Sequence, residues 1–344
     1  MRKLAKVVKL DSVVNHPNAD RLDLCKVGGW QVVSKRDLYK TGDLAIYFEI
    51  DSWIPHELDP SLTKEGHEPK VYNDVLGQRL RTVRLRGELS QGLLIPINFG
   101  IGGLPLELVD VQEGEDLTEL LGIQKWEMEI PAQLAGQTKA PFPSQFPKTD
   151  QERVQNLSTT IELYRLGAVE KFYIQEKLEG SSMTCYLIDG NFGVCSRNLD
   201  LIETKGNTFW QVARELDIEN KMRNLFGEQN IAIQGELIGP GIQCNIYKLT
   251  KPTMRVFDIV DTQGKLCPGM LASYCDYMGL EMVPNLGIIQ TNDPEFSIEG
   301  LLRMAEGKSV LNPNQEREGI VLKHYLDGNV SFKAVSNRYL EKQK

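Results

Sequence analysis

The sequence has no apolar run approaching the roughly 18 residues that a membrane-spanning helix needs, so no membrane partner is expected. The N-terminus, Met1-Arg2-Lys3-Leu4-Ala5-Lys6, begins basic but leads into strand-like alternation. It lacks the apolar core and cleavage site of a signal peptide, so an intracellular, non-secreted protein is expected. The six cysteines, Cys25, Cys185, Cys195, Cys244, Cys267 and Cys275, form no CxxC pair, and the four histidines are scattered. That spacing gives a zinc site little support and points to reduced thiols. There is no internal repeat and no low-complexity tract. There is no excess of positive charge either, the formal net charge being -8. This excludes a protein held on nucleic acid by bulk charge alone. Residues 1–90 are slightly basic and residues 91–125 strongly acidic, so any nucleic-acid surface must be a local stripe.

What remains is ordinary globular composition, 41% hydrophobic and 25% charged over 344 residues, long enough for about two domains. The first part reads as short strands over 5–14, 22–27, 30–34, 45–49 and 80–85. Gly28-Gly29 falls between two of them, as a hairpin turn should. Many short strands with few helical stretches predict a small β-barrel. Residues 131–147 hold Pro131, Pro141, Pro143 and Pro147 and read as an extended connector. From Thr149 the texture changes. Helices are expected over 150–157, 161–166, 208–216 and 296–305. Strands are expected over 172–175, 183–188, 191–196, 231–237, 254–259, 320–324 and 330–332. The expected architecture is α+β, with domains at 1–127 and 149–344 and a linker at 128–148. Thr149 or Asp150 would cap the first helix.

The chemistry is concentrated around Glu176-Lys177-Leu178-Glu179-Gly180. A strand ends at a lysine, with glycine just beyond. The unperturbed lysine pKa is about 10.4, so this amine attacks phosphorus only if burial, cationic neighbours or a metal lower that value. Alone the string would fit a solvent-facing lysine at a hairpin. Further short motifs follow it in order: Ser196-Arg197-Asn198, Gln234-Gly235-Glu236-Leu237, Phe257-Asp258-Ile259, Glu318-Gly319-Ile320-Val321-Leu322-Lys323 and Ser331-Phe332-Lys333. Taken together, this collinear set resembles the covalent nucleotidyltransferase superfamily of ATP-dependent ligases and mRNA capping enzymes.

The resemblance covers residues 173–333 and implies specific roles. Lys177 would take AMP covalently from ATP. Arg197 would contact the ribose and Phe257 would stack on adenine. Glu236 and Glu318 would hold Mg2+ or Mn2+, since such hard cations take oxygen ligands. Lys323 and Lys333 would meet phosphate oxygens. Glu176 would accept from the adenine amino group, which guanine cannot offer there. The last motif departs from the common Lys-x-Lys, because Ser331 and Val335 stand two positions either side of Lys333. Which slot Lys333 fills is left open. Glu179 stands where aspartate is common. The segment 146–156 resembles one that helps form the nucleotide pocket in RNA ligases.

The N-terminal part carries the finer distinction. His16-Pro17-Asn18-Ala19-Asp20-Arg21-Leu22 and Lys40-Thr41-Gly42-Asp43-Leu44 resemble a tRNA-binding OB module, and OB folds bind nucleic acid on a grooved face. Arg79, Arg81, Arg84 and Arg86 lie within eight residues and are candidate phosphate contacts. Read as one strand, alternation puts Arg79 and Arg81 on one face and Arg84 and Arg86 on the other, unless a bulge near Thr82 merges them. An OB domain ahead of the catalytic domain resembles the Naegleria-type RNA ligase family. That implies a monomer sealing RNA with 3′-hydroxyl and 5′-phosphate ends at nicks in duplex. A capping guanylyltransferase, a DNA ligase and a non-enzymatic RNA-binding protein remain the alternatives.

Overall fold

The computed structural model describes residues 2–97, 111–127 and 136–342. It divides into two units, Met1–Glu129 with Leu340–Lys344, and Ile130–Tyr339. Among the described residues, no helix is long and apolar enough to cross a membrane.

The first unit is built from short antiparallel strands. Ala5–Lys9, Leu44–Phe48 and Leu93–Pro96 form one sheet, with Leu44–Phe48 in the middle. Ser12–Asn15, Leu22–Val27 and Trp30–Lys35 form a meander. Its second turn is Gly28-Gly29, with Val27 paired to Trp30 and Gly28 at φ 54°. Alternating residues Ala5, Val7, Ile46, Phe48, Ile54 and Ile95 fill the core. Two strands expected as continuous are broken. Leu10 and Asp11 separate the first into two, and Leu80 and Arg81 separate Val75–Arg79 from the hairpin strand Thr82–Leu85.

The second unit holds two sheets. The larger runs Thr138–Pro141, Leu199–Leu201, Asn191–Cys195, Ser181–Ile188, Ile231–Ile238, Thr253–Asp261, Gly264–Lys265 in spatial order. The smaller runs Glu152–Arg153, Ser331–Val335, Gly319–His324, Lys171–Lys177, Asn285–Gln290. Residues 138–141, expected in a connector, are therefore a sheet strand, while Pro131 lies outside the described residues. The helix expected over 150–157 is instead a two-residue strand and a 3-10 turn. The helix after it, Ser158–Leu166, has no side-chain cap, so neither Thr149 nor Asp150 plays that part. Helices Ile218–Phe226 and Pro268–Met278 and strand Asn285–Gln290 went unread.

Each sheet buries one face under helices. Thr208–Glu215 and Ile218–Phe226 pack on the larger sheet around Met183, Ile233 and Ile259. Asn207 starts the first of these by accepting from the N–H groups of Phe209 and Trp210. On the smaller sheet Phe172, Ile174, Ile320, Leu322, Phe332 and Ala334 face helix Ile298–Ala305. Phe172 is fully buried, and its ring meets Tyr164, Phe296, His324 and Phe332 at centroid distances of 5.2–5.4 Å.

This aromatic cluster fixes the strand that ends at Lys177. Phe172→Ala should lower the unfolding free energy by about 3–5 kcal/mol, read from denaturant melts. Phe172→Leu should cost less than half of that.

Candidate active site

Strand Lys171–Lys177 alternates strictly against Gly319–His324. Its even residues enter the helix-covered core, so Lys177 and Gln175 project from the other face. Register puts Gln175 opposite Val321 and Val321 opposite Lys333. Arg153, on the parallel edge strand, pairs with Lys333. Lys177, Gln175, Lys333 and Arg153 therefore share one face.

Lys177 is half-buried, and its Nζ donates to Glu318 Oε1 at 2.6 Å. Glu318 stands immediately before its strand, and its carbonyl accepts the Ser336 N–H. Glu236 comes from the larger sheet, opposite Ser182 and Arg255. Two glycines bring it close. A Cβ on Gly180 would lie 2.4 Å from Leu237 O and 2.8 Å from Glu236 Cγ. Gly180 is thus needed for close approach rather than for a left-handed turn, since it is not among the glycines with positive φ. At Gly235 a Cβ would lie 2.6 Å from Arg255 O, where the strand register shifts.

The electrostatics run against simple expectation. Burial works to lower the Lys177 pKa, but Glu318 and Glu236 outweigh it and the amine is held above its ordinary value. The protein's own groups therefore keep Lys177 as an ammonium. Burial pushes Glu236 up to about 8, with Glu318 adding to the rise and Lys177, Arg197 and the Gly180 N–H opposing it. Glu179 is also raised, by burial and by Glu318. A divalent cation fits this donor set, because paired carboxylates are hard oxygen ligands. Among the described residues there is no group of three or more ligating side chains. A cation would rest on Glu236 and Glu318 and take its other ligands from water or phosphate.

The remaining candidates divide. Glu176 is buried. Its Oε2 accepts the Val310 N–H at 2.8 Å, while its Oε1 has no partner among the described residues. Phe257 is half-buried beside Leu178, Ile238, Tyr247 and Val283. Arg197 is exposed and bonded to both carboxylate oxygens of Asp150, at 2.7 and 2.9 Å. The segment 146–156 lines the larger sheet: Pro147 O accepts from Gln234, Thr149 meets Ser182, and Lys148 donates to Asn198. Lys323 is fully buried, donates to the Phe257 carbonyl and pairs with Asp258, a carboxylate it shares with Lys265, which lies 2.9 Å from its other oxygen. Arg153, one of the polar residues of the segment 146–156, is buried and near enough to Lys177 to oppose its charge.

The four N-terminal arginines do not share a strand. Arg79 ends one strand, bonds Asp51 at 2.6 Å and stacks 3.8 Å above Trp126, so it is an internal brace. Arg81 lies in the link. Arg84 is on the hairpin and bonds Glu341, of the C-terminal residues grouped with this unit. Arg86 is exposed at the hairpin turn, with φ 51°.

The raised Glu236 pKa has a sign that can be checked. Between the ordinary carboxylate value, about 4.3, and 8, the folded chain holds a proton that the unfolded chain releases. Its contribution is fully present below that window and lost as pH rises through about 8. Metal-free wild type and Glu236→Gln should melt together near pH 4. By pH 9 the glutamine variant should melt higher. Parallel melting curves across the range would contradict the buried, protonated carboxyl.

A family model for RNA ligase matches residues 170–335, and an OB-fold domain model matches residues 4–97. No curated protein matches the chain. Among solved structures, Naegleria gruberi RNA ligase with pyrophosphate is 41% identical, with TM-score 0.89, covering 100% of this chain and 99% of that one. A variant of that ligase with ATP and Mn is 40% identical, with TM-score 0.89 and 99% coverage of both chains. Another variant, with AMP and Mn, is 41% identical, with TM-score 0.90 and 99% coverage of both. An OB-fold domain precedes an α+β domain carrying the Lys177 site, and on this likeness over its whole length the chain belongs to the RNA ligase family.

Proposed function

We propose that this protein is an ATP-dependent ligase that joins RNA 3′-hydroxyl and 5′-phosphate ends through lysyl-AMP on Lys177. The observation that carries the reading is the half-buried lysine flanked by Glu318 and Glu236. The similar ligase structures contain ATP, AMP, pyrophosphate and Mn, which is the ligand set this chemistry requires.

In the first step the Lys177 nitrogen forms a bond to the α-phosphorus of ATP. The bond to the β-phosphate oxygen breaks, pyrophosphate leaves, and the amine loses its proton. AMP then passes to the RNA 5′-phosphate and frees the lysine. The RNA 3′-hydroxyl attacks that phosphate, forming the phosphodiester and releasing AMP. Positioning and charge neutralisation do most of the work in such transfers. A bound Mg2+ or Mn2+ would offset the carboxylate charge that now keeps Lys177 protonated and neutralise the α-phosphate. Glu236 and Glu318 would hold it. Lys333 and Arg153, on the nucleophile's face, would meet phosphate oxygens. Phe257 would stack on the base and Arg197, released from Asp150, would reach the ribose. The unpartnered Glu176 Oε1 suits the adenine amine, and the guanine carbonyl would repel it.

Incubation with α-labelled ATP or GTP and a divalent cation, followed by a denaturing gel, tests the reading. Wild type should take label from ATP and not from GTP. Lys177→Ala should take none, and Glu236→Gln and Glu318→Gln should fall by about 10²-fold or more. Label from GTP alone would mean capping. No label from either would favour an RNA-binding protein. For RNA contact, Arg81→Ala and Arg86→Ala should each reduce the slope of log affinity against log salt by about 1. Unchanged slopes would remove the hairpin from the RNA surface.

A further inference from the structure

Residues 239–250 follow the Glu236 strand and return the chain to the next strand. Three non-glycine residues here, Gln243, Asn245 and Lys248, have φ of 42–54°. Asn245 holds the bend, its side chain accepting from the Leu249 N–H and donating to the Leu249 carbonyl. From outside, Asn312 Nδ2 donates to the Ile246 carbonyl at 2.6 Å. The segment is thus fixed at several points. What it presents to the site is Tyr247. This side chain is buried, with its ring beside Leu178 and half-buried Phe257. Its hydroxyl oxygen accepts the Glu179 N–H at 2.6 Å. The Cys244 N–H donates to the Glu179 carboxylate. The segment therefore holds the Glu179 N–H and shares its carboxylate with the Tyr339 side chain.

We propose that Tyr247 is a positioning residue that fixes the Lys177-Leu178-Glu179-Gly180 turn, and with it the direction of the Lys177 amine. The inference rests on the ligase reading above. Lys177 is joined to Glu179 through one intervening residue, Leu178, which belongs to the same buried apolar cluster as Tyr247. Freeing the Glu179 N–H lets that turn rotate about the fixed end of its strand. Near-attack geometry is lost over distances of about an ångström. The last sealing step does not use the lysine as a nucleophile. An effect transmitted through the turn must then fall on lysyl-AMP formation and spare that step.

Tyr247→Phe keeps the ring against Phe257 and removes only the oxygen. Three quantities would be measured on the whole protein with Mn2+: single-turnover labelling from ATP, the ATP concentration giving half the maximal rate, and sealing of a pre-adenylylated nicked RNA. Labelling at saturating ATP should slow by on the order of tenfold or more. The half-saturating ATP concentration and the sealing rate should stay within about twofold, since the hydroxyl bonds the Glu179 N–H and not a group assigned above to ATP or RNA. Tyr277→Phe, at an exposed tyrosine on helix Pro268–Met278, should change none of the three. Labelling at the wild-type rate would overturn the proposal. So would equal losses in labelling and sealing, which mark general loosening of the fold. Wild type that takes no label from ATP would overturn the ligase reading itself, and is distinct from either result.

Discussion

The ion pair between Lys177 and Glu318 is the constraint on which the site turns. A nucleophilic amine needs a lone pair, yet the carboxylates around this one stabilise its charged form. Those same carboxylates are the hard donors a divalent cation needs. On the ligase reading the conflict is functional. Only when cationic charge occupies Glu236 and Glu318 does the field on Lys177 change sign. The amine is then free to react when substrate is in place and held inert otherwise.

The fold supplies this arrangement from two sheets. One contributes Lys177, Glu318, Lys333 and Arg153, and the other contributes Glu236 and Phe257. The buried pair of Lys323 and Asp258 joins them behind Phe257. Such a pair is costly to break and adds little by itself to stability, so its value lies in fixing one strand against another. Ser331 lies directly opposite Lys323 in the register. Lys265 already shares Asp258 with Lys323, so a lysine at 331 would add a third ammonium to one carboxylate, which gives a physical reason for serine where Lys-x-Lys is common.

The cluster around Lys177 was largely legible in sequence because its groups stand in short strings with glycine near strand ends. Lys177, Glu236 and Glu318 are brought together as those strings imply. Lys323 was less legible, since no string records that Asp258 lies across from it. Arg153 stood out only as one polar residue of the segment 146–156, because its own two-residue strand is too short to show alternation. The break in the arginine segment was hidden for a related reason. Residues 79–86 look continuous, but the chain changes sheet at Leu80 and Arg81, and Arg79 is taken by Asp51 and Trp126. Pro268 at the start of its helix was a usable signal that went unread.

Charge also bears on how an acidic protein can handle polyanions. Glu176, Glu179, Glu236 and Glu318 crowd the nucleophile turn, and the whole chain is at -8. Bare phosphates would be repelled from such a site, and salt would screen that repulsion only beyond about 8 Å. Lys177, Lys333 and Arg153 share one face but do not outnumber these four carboxyl groups. ATP should therefore arrive with its own cation, and RNA should be held by contacts away from the turn. On the ligase reading, the local placement of arginines on the N-terminal hairpin would matter more for that purpose than the sign of the total.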